Sequence, residues 1–179
     1  MNLNELKEFL NSRKIPYEEW GTGESKTLAH LLTEIRSGEV KIEDSGKKVL
    51  RSVKGVGINV FFSQGQGVLK LVEEKQVFSD GRERRRSLST SIGEKMRPGE
   101  LPDEAAIRTL KEELGIIGVA LFNTGVEDRE QILSTSYPGL WSKYKVYIYE
   151  TRLSPYHFRP EGYVEVQDDK TSYFIWQPI

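Results

Sequence analysis

The fold is decided by the stretch Gly93-Glu-Lys-Met-Arg-Pro-Gly-Glu-Leu-Pro-Asp-Glu-Ala-Ala-Ile-Arg-Thr-Leu-Lys-Glu-Glu-Leu-Gly-Ile116, which predicts a glycine-containing loop followed by one helix. Pro102 suits the first helical position, where its missing N–H costs no hydrogen bond. Gly115 stands where a left-handed C-cap would end the helix. Since the apolar residues within these limits recur at helical spacing, we expect them to pack on a core: Ala106, Ile107, Leu110 and Leu114.

Charged side chains gather on another side of the predicted helix. Arg108 and Glu112 are four residues apart, so they are neighbours on the helix surface. Glu112 and Glu113 lie beside a glycine-containing loop and offer oxygen ligands to Mg²⁺, which proteins usually hold with a few carboxylates plus substrate phosphates. A solvated helix face is the alternative, because charge runs usually lie at the surface.

The whole stretch resembles the Nudix box, in which the order is Gly, five residues, Glu, seven residues, Arg-Glu, apolar, any, Glu-Glu, any, Gly, apolar. The matching residues here are Glu100, Arg108, Leu110, Glu112, Glu113, Gly115 and Ile116. Two positions depart from the pattern. Gly93 is displaced by one residue, so that Glu94 stands in the place of the opening glycine, and Thr109 replaces the glutamate after the arginine. In the family that glutamate is one of the carboxylates that hold the divalent metals.

The resemblance implies an α/β fold, an α/β/α sandwich with a mixed sheet, for residues 48–179. Residues 1–47 are then a helical N-terminal extension packed on this domain, because Leu28, Leu31, Leu32 and Ile35 repeat at helical spacing. Period-two alternation predicts strands after residue 48. Among the expected strands are Ser87–Ile92 and Ile116–Phe122, on either side of the central helix.

The resemblance also implies Mg²⁺-dependent (or Mn²⁺-dependent) hydrolysis of the pyrophosphate of a nucleoside diphosphate derivative. Glu112 and Glu113 are the expected metal ligands, and Arg108 is expected to orient Glu112 through a salt bridge. Glu100 is expected to be a further ligand or a carboxylate that fixes the loop. The alternative function is a catalytically reduced Nudix-fold module that binds a nucleotide, RNA or a protein, which the loss of a carboxylate at Thr109 favours.

The loop glycines, Gly93 and Gly99, allow sharp turns and close approach to a metal and phosphates. A later acidic residue is expected to supply an extra ligand or the general base, and the sequence leaves four open: Glu161, Glu165, Asp168 and Asp169. For a nucleotide base, an aromatic stacking surface is expected from Tyr144, with Tyr137 and Trp141 as further candidates of which at least one packs in the core.

The dense basic run is Arg82–Arg86. It is either a solvated edge strand, whose charges discourage pairing with another chain, or a contact to the substrate. The substrate contact is to phosphate through Arg84 and Arg86, or to RNA through Arg82–Arg86.

The composition excludes several classes of protein. The 179 residues carry a net charge of −1, so no global field directs the chain to nucleic acid or membrane. The absence of cysteine excludes disulfides, thiolate catalysis and cysteine-based zinc sites. No run of about 18 apolar residues and no secretory signal is present. We therefore expect a cytoplasmic protein whose oligomeric state is open.

Overall fold

The computed structural model describes the backbone of residues 1–179 and the side chains of residues 1–130 and 132–179. Over these residues it contains three α-helices and nine strands. The helices are α1 (Leu3–Ser12), α2 (Leu28–Arg36) and α3 (Pro102–Leu114), with a short 3₁₀ helix at Tyr17–Glu19. The strands are β1 (Val40–Asp44), β2 (Val49–Gln64), β3 (Gly67–Phe78), β4 (Glu83–Arg84), β5 (Ile92–Lys95), β6 (Phe122–Leu133), β7 (Trp141–Arg152), β8 (Tyr163–Val166) and β9 (Lys170–Pro178). The predicted α/β class, with a mixed sheet and N-terminal helices, is confirmed.

The chain forms two compact units, and neither is one continuous segment. The smaller unit comprises Met1–Lys54, Lys95–Glu100 and Glu127–Val146. The larger unit comprises Gly55–Glu94, Leu101–Val126 and Tyr147–Ile179. Strands β2, β5, β6 and β7 contribute residues to both units. Across the described residues, no helix is both long and apolar enough to cross a membrane.

In the larger unit, the centre of the sheet is β3, which pairs antiparallel with β2, β4 and β9. β9 also pairs antiparallel with β8, with Glu165 opposite Ser172. Hydrogen-bonded neighbours in the sheet follow the order β6-β7-β2-β3-β9-β8. Helix α3 contacts β8. This contact brings the end of β8 and the charged side of α3 into one region of the unit.

Local signals set the limits of α3. Pro102 is its first residue, and the carboxylate of Glu104 accepts from the backbone N–H of Leu101 at 3.0 Å. Gly115 ends the helix with φ +68°, the left-handed conformation predicted for it. Both predicted limits are confirmed. The predicted apolar stripe was wrong at one position, because Ile107 is 59% exposed. The buried face of α3 is formed by Ala105, Ala106, Thr109, Leu110 and Leu114.

Two predicted strands were wrong. Residues 87–91 form no strand, and β5 begins only at Ile92. Serine and threonine hydroxyls replace strand hydrogen bonds there, since Ser91 Oγ accepts from the N–H of Val60 at 3.0 Å and Thr90 Oγ1 donates to Ile92 O at 3.0 Å. Residues 116–121 also form no strand, because the chain turns at Gly118 with φ +72° before β6 begins.

The smaller unit has its own hydrophobic core. Helices α1 and α2 contact each other, and α2 contacts β1, which pairs antiparallel with the first part of β2. Trp20 is almost fully buried, and its Nε1 donates to Pro138 O at 2.9 Å. The buried residues of this core are Leu6, Leu10, Trp20, Leu31, Leu32, Val40, Val49, Val53, Tyr137 and Leu140.

Candidate functional site

Glu113, near the end of α3, lies among other acidic side chains of the larger unit. Burial raises the pKa of Glu113 to about 9, and repulsion by Glu165, Glu94 and Glu73 adds to this shift. The guanidinium of Arg86 acts in the opposite direction. We call these four glutamates the acidic cluster. Its excess of negative charge makes the region suited to a cation.

Arg86 is bound to the most buried member of the acidic cluster. Its Nε donates to Glu73 Oε1 at 2.8 Å, and its Nη2 donates to Glu73 Oε2. Gln76 Nε2 also donates to Glu73 Oε2, at 3.2 Å. The side chain of Glu73 is only 3% exposed. Two-point pairing with arginine is a strong arrangement for a carboxylate, so Glu73 is held in one orientation.

Glu112 differs from its neighbour Glu113 in its surroundings. Arg108 Nη1 donates to Glu112 Oε2 at 2.9 Å, which is the salt bridge expected from their spacing. The side chain of Glu112 is 47% exposed, whereas that of Arg108 is 13% exposed. Arg108 therefore fixes an exposed carboxylate on the surface of α3.

Thr109 faces the core on the side of α3 that carries Glu113, one turn earlier. It is fully buried, and its hydroxyl donates to Ala105 O at 2.8 Å. This bond satisfies the hydroxyl within the helix itself. The position at which the Nudix box has a carboxylate is thus occupied here by a side chain bonded to its own backbone.

The other residues singled out in the sequence belong to different local environments. Gly93 lies in the larger unit, where a Cβ would lie 3.1 Å from Val56 O, so the close approach of β5 to β2 favours glycine. Gly99 and Glu100 lie in the smaller unit, where Glu100 Oε2 accepts from the N–H of Arg97 at 2.8 Å and fixes the loop.

The aromatic candidates also belong to the smaller unit. The hydroxyl of Tyr144 accepts a hydrogen bond from Arg51 Nη1 at 3.1 Å. Tyr137 is fully buried in the core.

Much of the charge of the basic run is paired within the larger unit. Arg82 Nε lies 2.7 Å from Asp80 Oδ2, and Arg85 Nη1 lies 3.7 Å from Glu74 Oε1. Arg86 binds Glu73, as described above. Within the described part of the chain, Arg84 Nε is buried and has no hydrogen-bond partner. The run is therefore less positive toward solvent than its sequence indicates.

A family model described as the NUDIX domain matches residues 53–176. The chain belongs to the Nudix family. No curated protein matches the sequence closely enough to count as a relative.

Solved structures resemble this Nudix chain at low sequence identity. An Ap4A hydrolase from C. elegans is 16% identical, with a TM-score of 0.41 over 70% of this chain and 79% of that one. The NUDIX domain of Shewanella oneidensis NrtR, solved with ADP ribose, is 13% identical, with a TM-score of 0.46 over 71% and 73% of the two chains. The E. coli dihydroneopterin triphosphate pyrophosphohydrolase is 18% identical, with a TM-score of 0.45 over 69% and 78%.

The members of the acidic cluster were not equally visible in the Nudix sequence. Glu113 belongs to the box, Glu94 stands in the place of its first glycine, and Glu165 is one of the four later acids. Glu73 was missed, because nothing local distinguishes it from other polar residues of β3. The sequence signal that marks it is a charge at a buried position of a strand, and recognising that position requires the burial pattern of β3.

The donor chemistry of the acidic cluster fits a hard divalent cation. Carboxylate oxygens are the ligands that Mg²⁺ prefers. Among the side chains that the structure describes, no three acidic or histidine groups converge closely enough to hold a metal by themselves. Mg²⁺ is commonly bound by one or two carboxylates, with water and substrate phosphates completing its shell. The cluster thus fits a cation that binds together with a phosphate-bearing substrate.

Proposed function

We propose that this Nudix protein is a hydrolase that uses Mg²⁺ (or Mn²⁺) to cleave the pyrophosphate of a nucleoside diphosphate derivative. The observation that carries the proposal is the acidic cluster, in which three glutamates act electrostatically on Glu113, a partly buried residue of α3. Mutual repulsion of carboxylates raises their pKa, and a bound cation relieves that repulsion in place of a proton. Membership of the Nudix family supports the same reaction class at the level of the family.

In this proposal Glu113 is the principal metal ligand. Glu112 is the second, and the 2.9 Å salt bridge with Arg108 orients it. A bound Mg²⁺ would supply neutralisation of the phosphate charge and activation of a water molecule. Glu100 belongs to the smaller unit, and its proposed role is to fix the loop that includes Gly99 through the 2.8 Å bond from the N–H of Arg97. Gly93 permits the close packing of the strand that leads into this loop.

The remaining roles concern the substrate. Water adds to one phosphorus, the bridging P–O bond breaks with its electron pair on the leaving phosphate, and the water proton passes to a base. Glu165 is the proposed base, because it is the later acid that acts electrostatically on Glu113. Arg84 and Arg86, in the same unit, are proposed as phosphate contacts.

The test is metal-dependent turnover in Glu113→Gln. Phosphate release from a panel of nucleoside diphosphate derivatives, including ADP-ribose, is measured with Mg²⁺ and with Mn²⁺, and metal binding is followed by calorimetry. We expect Glu113→Gln to lose at least about 100-fold in rate, because changes even at groups that only orient a ligand cost about 10–100-fold. Glu112→Gln is expected to lose turnover as well.

The matched control is Lys111→Gln, which changes an exposed charge on the same helix. We expect it to keep the wild-type rate. Wild-type rates in Glu113→Gln would contradict the metal assignment. Nucleotide binding by the wild-type protein without turnover of any substrate would replace the hydrolase with a binding module.

A further inference from the structure

The smaller unit contains a cleft of about 400 Å³ that shares no residue with the acidic cluster. Its walls are the segment 12–15 at the end of α1, the turn 46–49 between β1 and β2, and Gly139 with Trp141. Pockets for small molecules commonly have volumes of about 300–1,000 Å³. The cleft is therefore large enough for a compact ligand.

The lining of this cleft is strongly positive. Its charged residues are Arg13, Lys14, Lys47 and Lys48, and no carboxylate lines it. Arg13 is paired with Asp44, which neutralises one of the four charges. Lys14 and Lys47 add positive charge to the cleft in a chain whose net charge is −1. We call this feature the basic cleft, and it favours an anionic ligand.

The lysines of the turn are presented by a fixed backbone. Ser45 Oγ accepts from the N–H of Lys48 at 3.1 Å and donates to Lys48 O at 3.0 Å. Asp44 Oδ1 accepts from the N–H of Gly46 at 2.8 Å. Lys48 Nζ lies 3.5 Å from the ring centroid of Trp141, a cation–π contact that holds the ammonium against the wall of the cleft. Because these contacts hold the turn and the Lys48 side chain in one arrangement, less conformational entropy is lost when an anion binds.

Lys14 occupies a backbone conformation that lysine seldom adopts. It has φ +53° and is the one non-glycine residue with positive φ among the described residues. It follows the C-cap of α1, where glycine is the usual residue. A side chain here costs about 1 kcal/mol, yet the position places an exposed ammonium at the cleft. Strain of this kind is concentrated at functional sites.

We propose that the basic cleft binds the phosphate groups of a small phosphoanhydride anion, which is either a nucleoside triphosphate or a free oligophosphate. Lysine ammonium groups are suited to phosphate as point charges. The volume of the cleft, about 400 Å³, suits a compact anion better than an extended nucleic acid strand. This site is separate from the proposed hydrolytic site and does not require a metal.

The test is calorimetric titration of the full chain with tripolyphosphate and, separately, with ATP, in EDTA. We expect both to bind. Lys47→Ala and Lys14→Gly are each expected to weaken binding about tenfold, because each removes a contact to a charged group. Lys14→Gly is also expected to retain or raise the unfolding temperature, since glycine relieves the positive φ. The matched control is Lys41→Ala, an exposed lysine of β1 outside the cleft, which is expected to bind like wild type.

Equal affinity for tripolyphosphate and ATP would identify oligophosphate as the ligand, and tighter binding of ATP would show that the nucleoside contributes. Failure of both to bind the wild-type protein, or equal binding by wild type and the Lys14→Gly, Lys47→Ala double variant, would overturn the proposal. Binding of single-stranded RNA without binding of tripolyphosphate would also overturn it. Glu113→Gln is expected to bind tripolyphosphate normally in EDTA, so failure at this cleft is distinguishable from failure of the proposed hydrolytic site.

Discussion

Arg86 donates hydrogen bonds to both carboxylate oxygens of Glu73: its Nε donates to Oε1 at 2.8 Å, and its Nη2 donates to Oε2. Arg86 also interacts electrostatically with two other glutamates of the acidic cluster, Glu113 and Glu94. The acidic cluster therefore combines Glu73, whose charge is neutralised by Arg86, with three further glutamates whose negative charge favours a cation.

Replacing Arg86 by alanine should destabilise the metal-free protein. Glu73 is buried, so loss of its partner leaves an uncompensated charge, and we expect a cost of about 2 kcal/mol because Arg86 itself is partly exposed. Mg²⁺ should restore part of this loss. Urea unfolding in EDTA and in Mg²⁺ measures both effects.

The control is Arg85→Ala, at a 61% exposed arginine, which should change the free energy of unfolding by less than about 0.5 kcal/mol. Equal unfolding midpoints for the two variants would contradict the importance of the Arg86–Glu73 pair.

Thr109→Glu restores the carboxylate of the Nudix box at a fully buried position. We expect the variant to be less stable than wild type in EDTA by about 2 kcal/mol, because it adds a buried charge to the acidic cluster. We also expect Mg²⁺ to raise its unfolding temperature more than that of wild type, and turnover to increase.

The control at the same position is Thr109→Val. It removes the hydroxyl that donates to Ala105 O and should cost about 1 kcal/mol. Its response to Mg²⁺ should equal that of wild type. An identical Mg²⁺ response in Thr109→Glu and Thr109→Val would show that position 109 does not face the bound cation.

Glu34 should make the stability of the protein depend on acid pH. Burial alone would raise the pKa of Glu34, but Lys26 at 2.8 Å and Lys95 at 2.6 Å outweigh it and lower the pKa from 4.5 to about 2. Because the folded-state pKa is the lower one, the stabilisation is complete above about pH 4.5 and is lost as the pH falls toward 2. A shift of this size corresponds to about 3 kcal/mol.

The measurement compares urea unfolding of wild type and Glu34→Gln between pH 7 and pH 3. We expect the variant to be about 3 kcal/mol less stable at pH 7, with the difference shrinking as the pH approaches 2. Glu8→Gln, at an exposed residue of α1, should show no such trend. A difference between wild type and Glu34→Gln that is constant across this pH range would rule out the ion pairs as its cause.

Gly162→Ala should be among the most damaging substitutions in the larger unit. Gly162 has φ +85°, and an added Cβ would lie 1.9 Å from Phe174 O, so backbone must move. Gly118→Ala is the matched control, because Gly118 has φ +72° but nothing within 4 Å of the added Cβ. We expect a cost of about 1 kcal/mol at Gly118 and of at least about 3 kcal/mol at Gly162, measured by thermal unfolding. Similar losses at both positions would mean that the positive φ, and not the contact with Phe174, determines the cost.

The limits of α3 could be predicted from sequence because each depends on a residue acting on its own backbone. Proline fixes φ at the first position, and glycine accepts the left-handed conformation at the end. The errors arose where side chains act at a distance. Residues 116–121 are rich in apolar side chains and were predicted as a strand. Strand formation also requires a partner strand. The chain turns at Gly118 instead, and β6 begins only at Phe122.

The sequence by itself determined the family, the central helix and the adjacent glutamates, because these depend on residue type and spacing within one short segment. Only the tertiary structure decided which acids surround Glu113, since Glu73, Glu94 and Glu165 lie far apart in the chain. Pairing of β3 with β9 and of β9 with β8, together with the contact between α3 and β8, brings Glu73 and Glu165 close to Glu113. Glu94 lies in β5, which pairs with β2. The basic cleft arises in the same way from three separate segments. Charge interactions depend on distance in space, and a sequence records only distance along the chain.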